Sequence, residues 1–405
     1  MNQFLDTLRK PKIYALALLT LTSLLGCVQA LQPTTPTSDI YPTKARAEID
    51  HIYVFGDSLS DTGNLFTLIN HLFLYNHIRM EAPPASTGGQ KFSNGHLVAE
   101  YVAAHYGLTL KPAWAPGPNM RNTLEIIKDE DIAELITWLI AFKRKEEIPQ
   151  KHLATIKLIS ESLGQRADGN NYAVANATII PYEGILNKFF AQFSLSKQVG
   201  LHQEEDIDQR TSAKTLHLLI IGGNDITMII NGDPSQPAQD QKTQQVARAY
   251  IEQIERLRKM GAKKILVSTA PKIGETPAFY QTAASDQANH LSHLLEQEVS
   301  RQIKQHFSAN QVGFVSISQA FDSLLRQWPQ PRQHQACVQD ITSRYFNLEH
   351  FILHDGELAA KFINDCNQQA LDSGSFVFYD HFHATDKLYQ LITRYYIDAI
   401  DKLMQ

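Results

Sequence analysis

The chain has 405 residues, 43% of them hydrophobic and 20% charged, with a formal net charge of −5. That length supports one large α/β domain or two smaller ones around a sizeable core. The slight acidic balance gives no mark of a nucleic-acid partner, so none is expected.

At the N-terminus, Arg9, Lys10 and Lys12 precede an uncharged, mostly apolar run over residues 13–26. The run is short for a membrane span and suits the apolar region of an export signal. Residues 1–30 are therefore expected to be a leader. Two processing patterns overlap there. Val28-Gln29-Ala30 fits ordinary cleavage, which gives a secreted protein. Leu24-Leu25-Gly26-Cys27 looks like a bacterial lipoprotein box, which would leave Cys27 lipidated at an outer-membrane or periplasmic surface. Residues 31–48, rich in Pro and Thr near their start, read as a linker into a single domain over 49–405.

The run His51-Ile52-Tyr53-Val54-Phe55 reads as a buried strand. A Gly-bearing turn then delivers Ser58 to what reads as the start of a helix. A serine there suits a nucleophile, because helix N-terminal N–H groups favour the negative charge of an acyl-transfer intermediate. An N-cap serine would look the same.

Residues from about 120 to 165 form a charged, helical stretch that breaks the pattern and reads as an insertion. Its apolar face and basic Lys143-Arg144-Lys145 end suit either a membrane surface or packing on the core. Further on, apolar runs at 215–221, 264–268 and 312–317 read as strands covered on both faces. Helical periodicity fills 244–260, 283–307 and 387–404. This alternation predicts an α/β fold with a mostly parallel, doubly wound sheet.

Asn224 follows the 215–221 run within Gly222-Gly223-Asn224-Asp225, at a strand's C-terminal end, where open α/β sheets place their sites. Its amide is a suitable oxyanion donor, and Asn is also an ordinary turn residue. Near the C-terminus stands Asp380-His381-Phe382-His383. In a tight loop Asp380 can reach Nδ1 of His383 and leave Nε2 for a serine. His381 is the rival base, and a metal site is the chemical competitor. No His-Glu-x-x-His motif, zinc-spaced cysteine pair or phosphate loop accompanies them, so no metal and no cofactor is expected. With Cys27 removed or lipidated, Cys337 and Cys366 remain as a pair. In an oxidising compartment they are expected to form a disulfide, the other reading being two buried thiols.

Taken together, these blocks resemble the GDSL, or SGNH, hydrolases: Phe55 to Asn64, Gly222 to Asp225 and Asp380 to His383, in the family's order. Lys91-Phe92-Ser93-Asn94-Gly95 is similar to the family's Phe-Ser-Asn-Gly segment. The closest look is to bacterial secreted phospholipases and lysophospholipases and to glycerophospholipid:cholesterol acyltransferase. Those enzymes carry a disulfide-closed segment like 337–366 before the Asp-x-x-His block.

The resemblance implies a flavodoxin-like three-layer α/β/α sandwich, with Ser58 as nucleophile, His383 as base and Asp380 as its orienter. It implies an oxyanion hole of the Ser58 N–H, the Asn224 side chain and a backbone N–H from a glycine block. Here that block reads Asn171-Tyr172-Ala173-Val174-Ala175-Asn176-Ala177, with Asn176 where the family has Gly. If the position needs positive φ, Asn is the best-tolerated substitute.

The function implied is lipolytic esterase activity on (lyso)phospholipids, with the acyl chain passing to water or to a sterol acceptor. A carbohydrate O-acetyl esterase or arylesterase, and a catalytically silent lipid-binding surface protein, are the alternatives. Segment 337–366 is expected either to lid the site or to act as a plain staple.

Overall fold

Among the described residues, four parallel strands carry the architecture: β1 (His51–Gly56), β4 (Thr215–Ile220), β5 (Lys264–Ser268) and β6 (Val312–Val315), side by side in that order. The computed structural model describes residues 48–65, 67–68, 91–115, 165–182, 191–205, 207–232, 235–338 and 362–405. The leader, Cys27, the linker up to residue 47, nearly all of the insertion and the interior of the 337–366 segment lie outside the described residues.

In chain order the elements are β1 (His51–Gly56), α1 (Val98–His105), β2 (Trp114–Ala115), β3 (Gln165–Arg166), α2 (Leu195–His202) and α3 (Ile207–Thr211). There follow β4 (Thr215–Ile220), α4 (Gly223–Ile230), α5 (Gln236–Lys259), β5 (Lys264–Ser268) and α6 (Ser285–His306). The chain closes with β6 (Val312–Val315), α7 (Ser318–Leu325), α8 (Gln368–Asp372) and α9 (Asp386–Met404).

The strands are apolar on both faces because helices cover both. Successive strand side chains point to opposite sides. Tyr53, Phe55, Leu219, Ile265 and Val267 pack with Val246, Tyr250 and Ile254 of α5 and Leu291, Leu295 and Val299 of α6. Ile52, Val54, Leu216, Leu218, Ile220 and Leu266 pack with Val98 and Val102 of α1 and Leu388, Ile392 and Ile400 of α9. The three-layer α/β/α sandwich follows from this two-sided burial.

β1 has β4 on one side, in the register Gly56↔Ile220. On its other side runs Asn170–Val174. Val54 N–H donates to the Asn170 carbonyl at 2.9 Å, and Tyr172 N–H to the Val54 carbonyl at 2.7 Å. The chain thus visits one flank of β1 and then crosses to the other. The C-terminal end of β1 is a topological switch point, where doubly wound sheets open a crevice.

Of the boundaries that differ from the sequence expectation, two have a clear physical reason. Helix α5 starts at Gln236, eight residues before the expected 244, because its first turns are polar and carry no apolar period. Pro237 sits in that first turn, where its missing N–H is no loss. β6 stops at Val315, since the Ile317 carbonyl already accepts the Ala320 and Phe321 N–H groups of α7. Ala115 pairs with Gln165 on the antiparallel β2–β3 ladder, one partner on each side of the stretch expected to be an insertion.

Candidate active site

Ser58 stands just past the end of β1. The strand-end Gly56 peptide is braced by Gln198 of α2, which accepts its N–H at 2.9 Å and donates to its carbonyl at 2.8 Å. Ser58 lies in a turn rather than at the helix start the sequence suggested. The Asp57 carbonyl accepts the Ser60 and Asp61 N–H groups, both at 3.0 Å, and helical residues begin only at Asn64. Asp61 is the reason. Its buried carboxylate accepts the N–H groups of Gly63 at 2.8 Å, Asn64 at 2.6 Å and Leu65 at 3.0 Å, capping the next turn.

Asp380 and His383 sit on a tight hairpin. Phe378 and Ala384 form an antiparallel bridge, and Tyr379 N–H donates to the His383 carbonyl at 2.8 Å. Asp380 Oδ1 accepts the Phe382 and His383 N–H groups at 2.8 Å each. That fold-back is what the three-residue spacing achieves. Nδ1 of His383 lies 2.7 Å from Asp380 Oδ2, and Nε2 lies 2.7 Å from Ser58 Oγ. His381, the rival base, instead offers its backbone carbonyl to the Ala278 N–H at 3.0 Å.

Cys337 and Cys366 form a disulfide. It packs with Val338, Leu371, Phe376 and Tyr379 in a small apolar cluster beneath the hairpin. Val338 N–H donates to the Tyr379 carbonyl at 2.7 Å, so the bridged segment is fastened to the residue before Asp380.

The glycine-block residues run beside Ser58. Asn176 has φ 65°, the left-handed conformation expected of a position usually held by Gly. It is the third residue of a turn closed by Ala177 N–H to the Val174 carbonyl at 3.0 Å. Three polar side chains stitch this stretch to the Ser58 turn. Asn64 Nδ2 donates to the carbonyls of Asn171 and Ala173, at 2.7 and 2.8 Å. Asn171 Nδ2 donates to the Ser60 carbonyl at 2.7 Å. Asp61 Oδ2 accepts the Ala175 N–H at 2.8 Å.

Asn224, in the first turn of α4, donates one amide hydrogen to the Ala177 carbonyl at 3.0 Å. Its NH2 group carries a second. Asn224 therefore braces the Asn176 turn as well as standing at the expected strand end. The next residue, Asp225, accepts the Ile179 and Ile180 N–H groups. Burial pushes its carboxyl up to about 7, and the nearby Asp57 charge adds to the rise. Burial likewise pushes Asp57 and Asp61 up to about 6, against the N–H groups that hold them down.

The sequence reading gave the Phe-Ser-Asn-Gly segment no role. In the structure it meets the His383 hairpin and the start of α9. Ser93 Oγ donates to the Ala384 carbonyl at 3.3 Å, and Asn94 Oδ1 accepts the Asp386 N–H at 2.9 Å. Asp386 in turn accepts the His96 N–H and the Tyr101 hydroxyl, both at 2.7 Å. A Cβ at Gly95 would collide with the Asp386 side chain, which explains the glycine. Gln198 was missed as well. Only the identity of the segment pointed to 92–95, and nothing local pointed to Gln198.

A hydroxyl, an imidazole and a carboxylate in line can generate an alkoxide and return its proton, the chemistry of acyl transfer. Comparison with known proteins agrees. The family model described as GDSL-like lipase/acylhydrolase matches residues 52–395. Two Arabidopsis thaliana proteins, each described as a GDSL esterase/lipase, are similar at 29% identity over 247 residues and 28% over 249. These alignments cover 56% and 57% of this chain. They span 59% and 54% of the plant proteins, little more than half their length.

Proposed function

The chain belongs to the GDSL-like lipase/acylhydrolase family, and from that premise we propose that it is an exported lipolytic serine esterase acting on (lyso)phospholipids. The observation that carries the reading is the 2.7 Å approach of His383 Nε2 to Ser58 Oγ, with Asp380 bound to the opposite ring nitrogen.

In this mechanism His383 takes the Ser58 proton as Oγ attacks the ester carbonyl. The tetrahedral oxyanion is held by the Ser58 N–H, the Asn176 N–H and the second amide hydrogen of Asn224. His383 then gives its proton to the departing alcohol, leaving an acyl-enzyme. Water, deprotonated by the same imidazole, releases the fatty acid. A sterol hydroxyl arriving first would carry the acyl chain away instead. Asp380 keeps the imidazole in the tautomer that presents an unprotonated Nε2 to Ser58. The disulfide supports export to an oxidising compartment.

The test compares wild type with Ser58→Ala on p-nitrophenyl esters from C2 to C16 and on a lysophospholipid. Wild type should prefer long acyl chains, and the variant should lose at least about 10³-fold in kcat. Preference for acetyl would move the substrate to a carbohydrate O-acetyl or aryl ester. Absence of fluorophosphonate labelling at Ser58 would leave a silent lipid-binding scaffold.

A further inference from the structure

The His383 imidazole is held at both nitrogens, by Asp380 and by Ser58. Bonds at opposite ends of a ring leave it free to rock about the axis that joins them. Phe92 stands against that motion. Its ring lies over the imidazole face with centroids 4.9 Å apart and planes inclined by 29°.

Phe92 is itself fixed, being only 6% exposed. On one side Lys91 Nζ holds both carboxylate oxygens of Glu100, at 2.8 and 2.9 Å, in a partly buried ion pair. On the other, Ser93 and Asn94 are bonded to Ala384 and Asp386, the residues flanking the hairpin. Two segments far apart in sequence are thus locked together around one ring-on-ring contact.

We infer that Phe92 is the positioning residue of the catalytic histidine: its face fixes the imidazole plane and favours the imidazolium formed when Ser58 gives up its proton. This rests on Ser58 being the nucleophile and deepens that reading. The physical basis is twofold. Packing restricts a side chain to one rotamer, and small misalignments of a reacting group cost large factors in rate. An aromatic face also attracts a cation. Among the described residues, the other charged groups facing the imidazole are Asp380 on its own hairpin and Asp57 beside Ser58. Tyr389 of α9 faces both carboxylates. Lys91, next to Phe92 in the chain, pairs with Glu100, which also meets His96. None is altered by substitution at 92, so a shifted pH profile reports the ring.

The experiment measures kcat and KM on a p-nitrophenyl ester from pH 5 to 9 for wild type, Phe92→Leu, Phe92→Met and Phe92→Tyr, with a thermal melt of each. Leu and Met fill the space without a π face, whereas Tyr keeps one. Leu and Met should lower kcat by roughly ten- to a hundredfold with KM almost unchanged. They should also shift the acid limb of kcat/KM down by about half a pH unit. Tyr should restore both. The inference fails if Leu and Met match wild type, if Tyr loses as much as they do, if the loss follows the melting temperature, or if the acid limb stays in place. Wild-type turnover that does not depend on Ser58 would instead overturn the underlying mechanism, so the two failures are distinguishable.

Discussion

The Asp61 carboxylate accepts the Ala175 N–H at 2.8 Å, joining the turn that carries Ser58 to the turn that carries Asn176. The same carboxylate holds three N–H groups of its own turn. One buried side chain thus sets the spacing between the proposed nucleophile and a proposed oxyanion donor.

Replacement of Asp61 by Asn should therefore strike both stability and rate. The amide offers one acceptor oxygen in place of two and presents NH2 to facing N–H donors. Charge-assisted hydrogen bonds are worth about 1.5–3 kcal/mol each. We expect a loss of roughly 2–4 kcal/mol in denaturant titration and a fall of more than about tenfold in kcat. Unchanged values in both assays would show that the tie is dispensable.

At Asn176 the backbone decides. Its φ of 65° is open to Gly, tolerable for Asn and costly for β-branched residues. Asn176→Gly should keep kcat within about threefold of wild type. Asn176→Val should destabilise the fold by about 1–2 kcal/mol and lower kcat more than KM. Equal behaviour of the two variants in kinetics and melting would refute a conformational role for this position.

A pH effect follows from Asp225, whose carboxyl burial raises from 3.8 to about 7. The folded protein holds this proton where the unfolded chain has released it. Its contribution is full below the unfolded value and is lost as pH rises through about 7. His217, pushed down to about 3 by burial, has the opposite sign, its contribution being lost as pH falls below 6.5. A single curve mixes these with Asp57 and Asp61, which burial raises to about 6, so the comparison is made with Asp225→Asn, whose Oδ1 can still accept both the Ile179 and Ile180 N–H groups. Between pH 5 and 7 the wild type should lose up to about 1.4 kcal/mol per pH unit relative to the variant. Parallel urea midpoints across that range would contradict it.

The sheet was legible because both of its faces are covered, which leaves nearly continuous apolar runs such as Thr215–Ile220, broken at His217. The Asp380–His383 partnership was legible because it is local, three residues apart on one hairpin. Asn176 could be read from backbone chemistry, since few residues accept positive φ. What stayed hidden are contacts between distant segments. No local pattern shows that Gln198 grips Gly56 across 142 residues. Likewise, nothing in residues 57–64 shows that Asp61 would cap a later turn and leave Ser58 outside the helix. The start of α5 was hidden for another reason: its polar first turns follow helix propensity and carry no apolar stripe.

The pinning of α9 to residues 93–96 through Asp386 bears on when the molecule becomes reactive. Ser58 and His383 are separated by 325 residues. A chain made from its N-terminus can complete the Ser58 turn while the base is still unmade. Its first competent alkoxide must wait until the final helix docks against α1, β5 and β6. Turnover is thus a report that the last element has found its place. A chain halted before residue 383 would carry the hydroxyl and its turn with no imidazole to meet them.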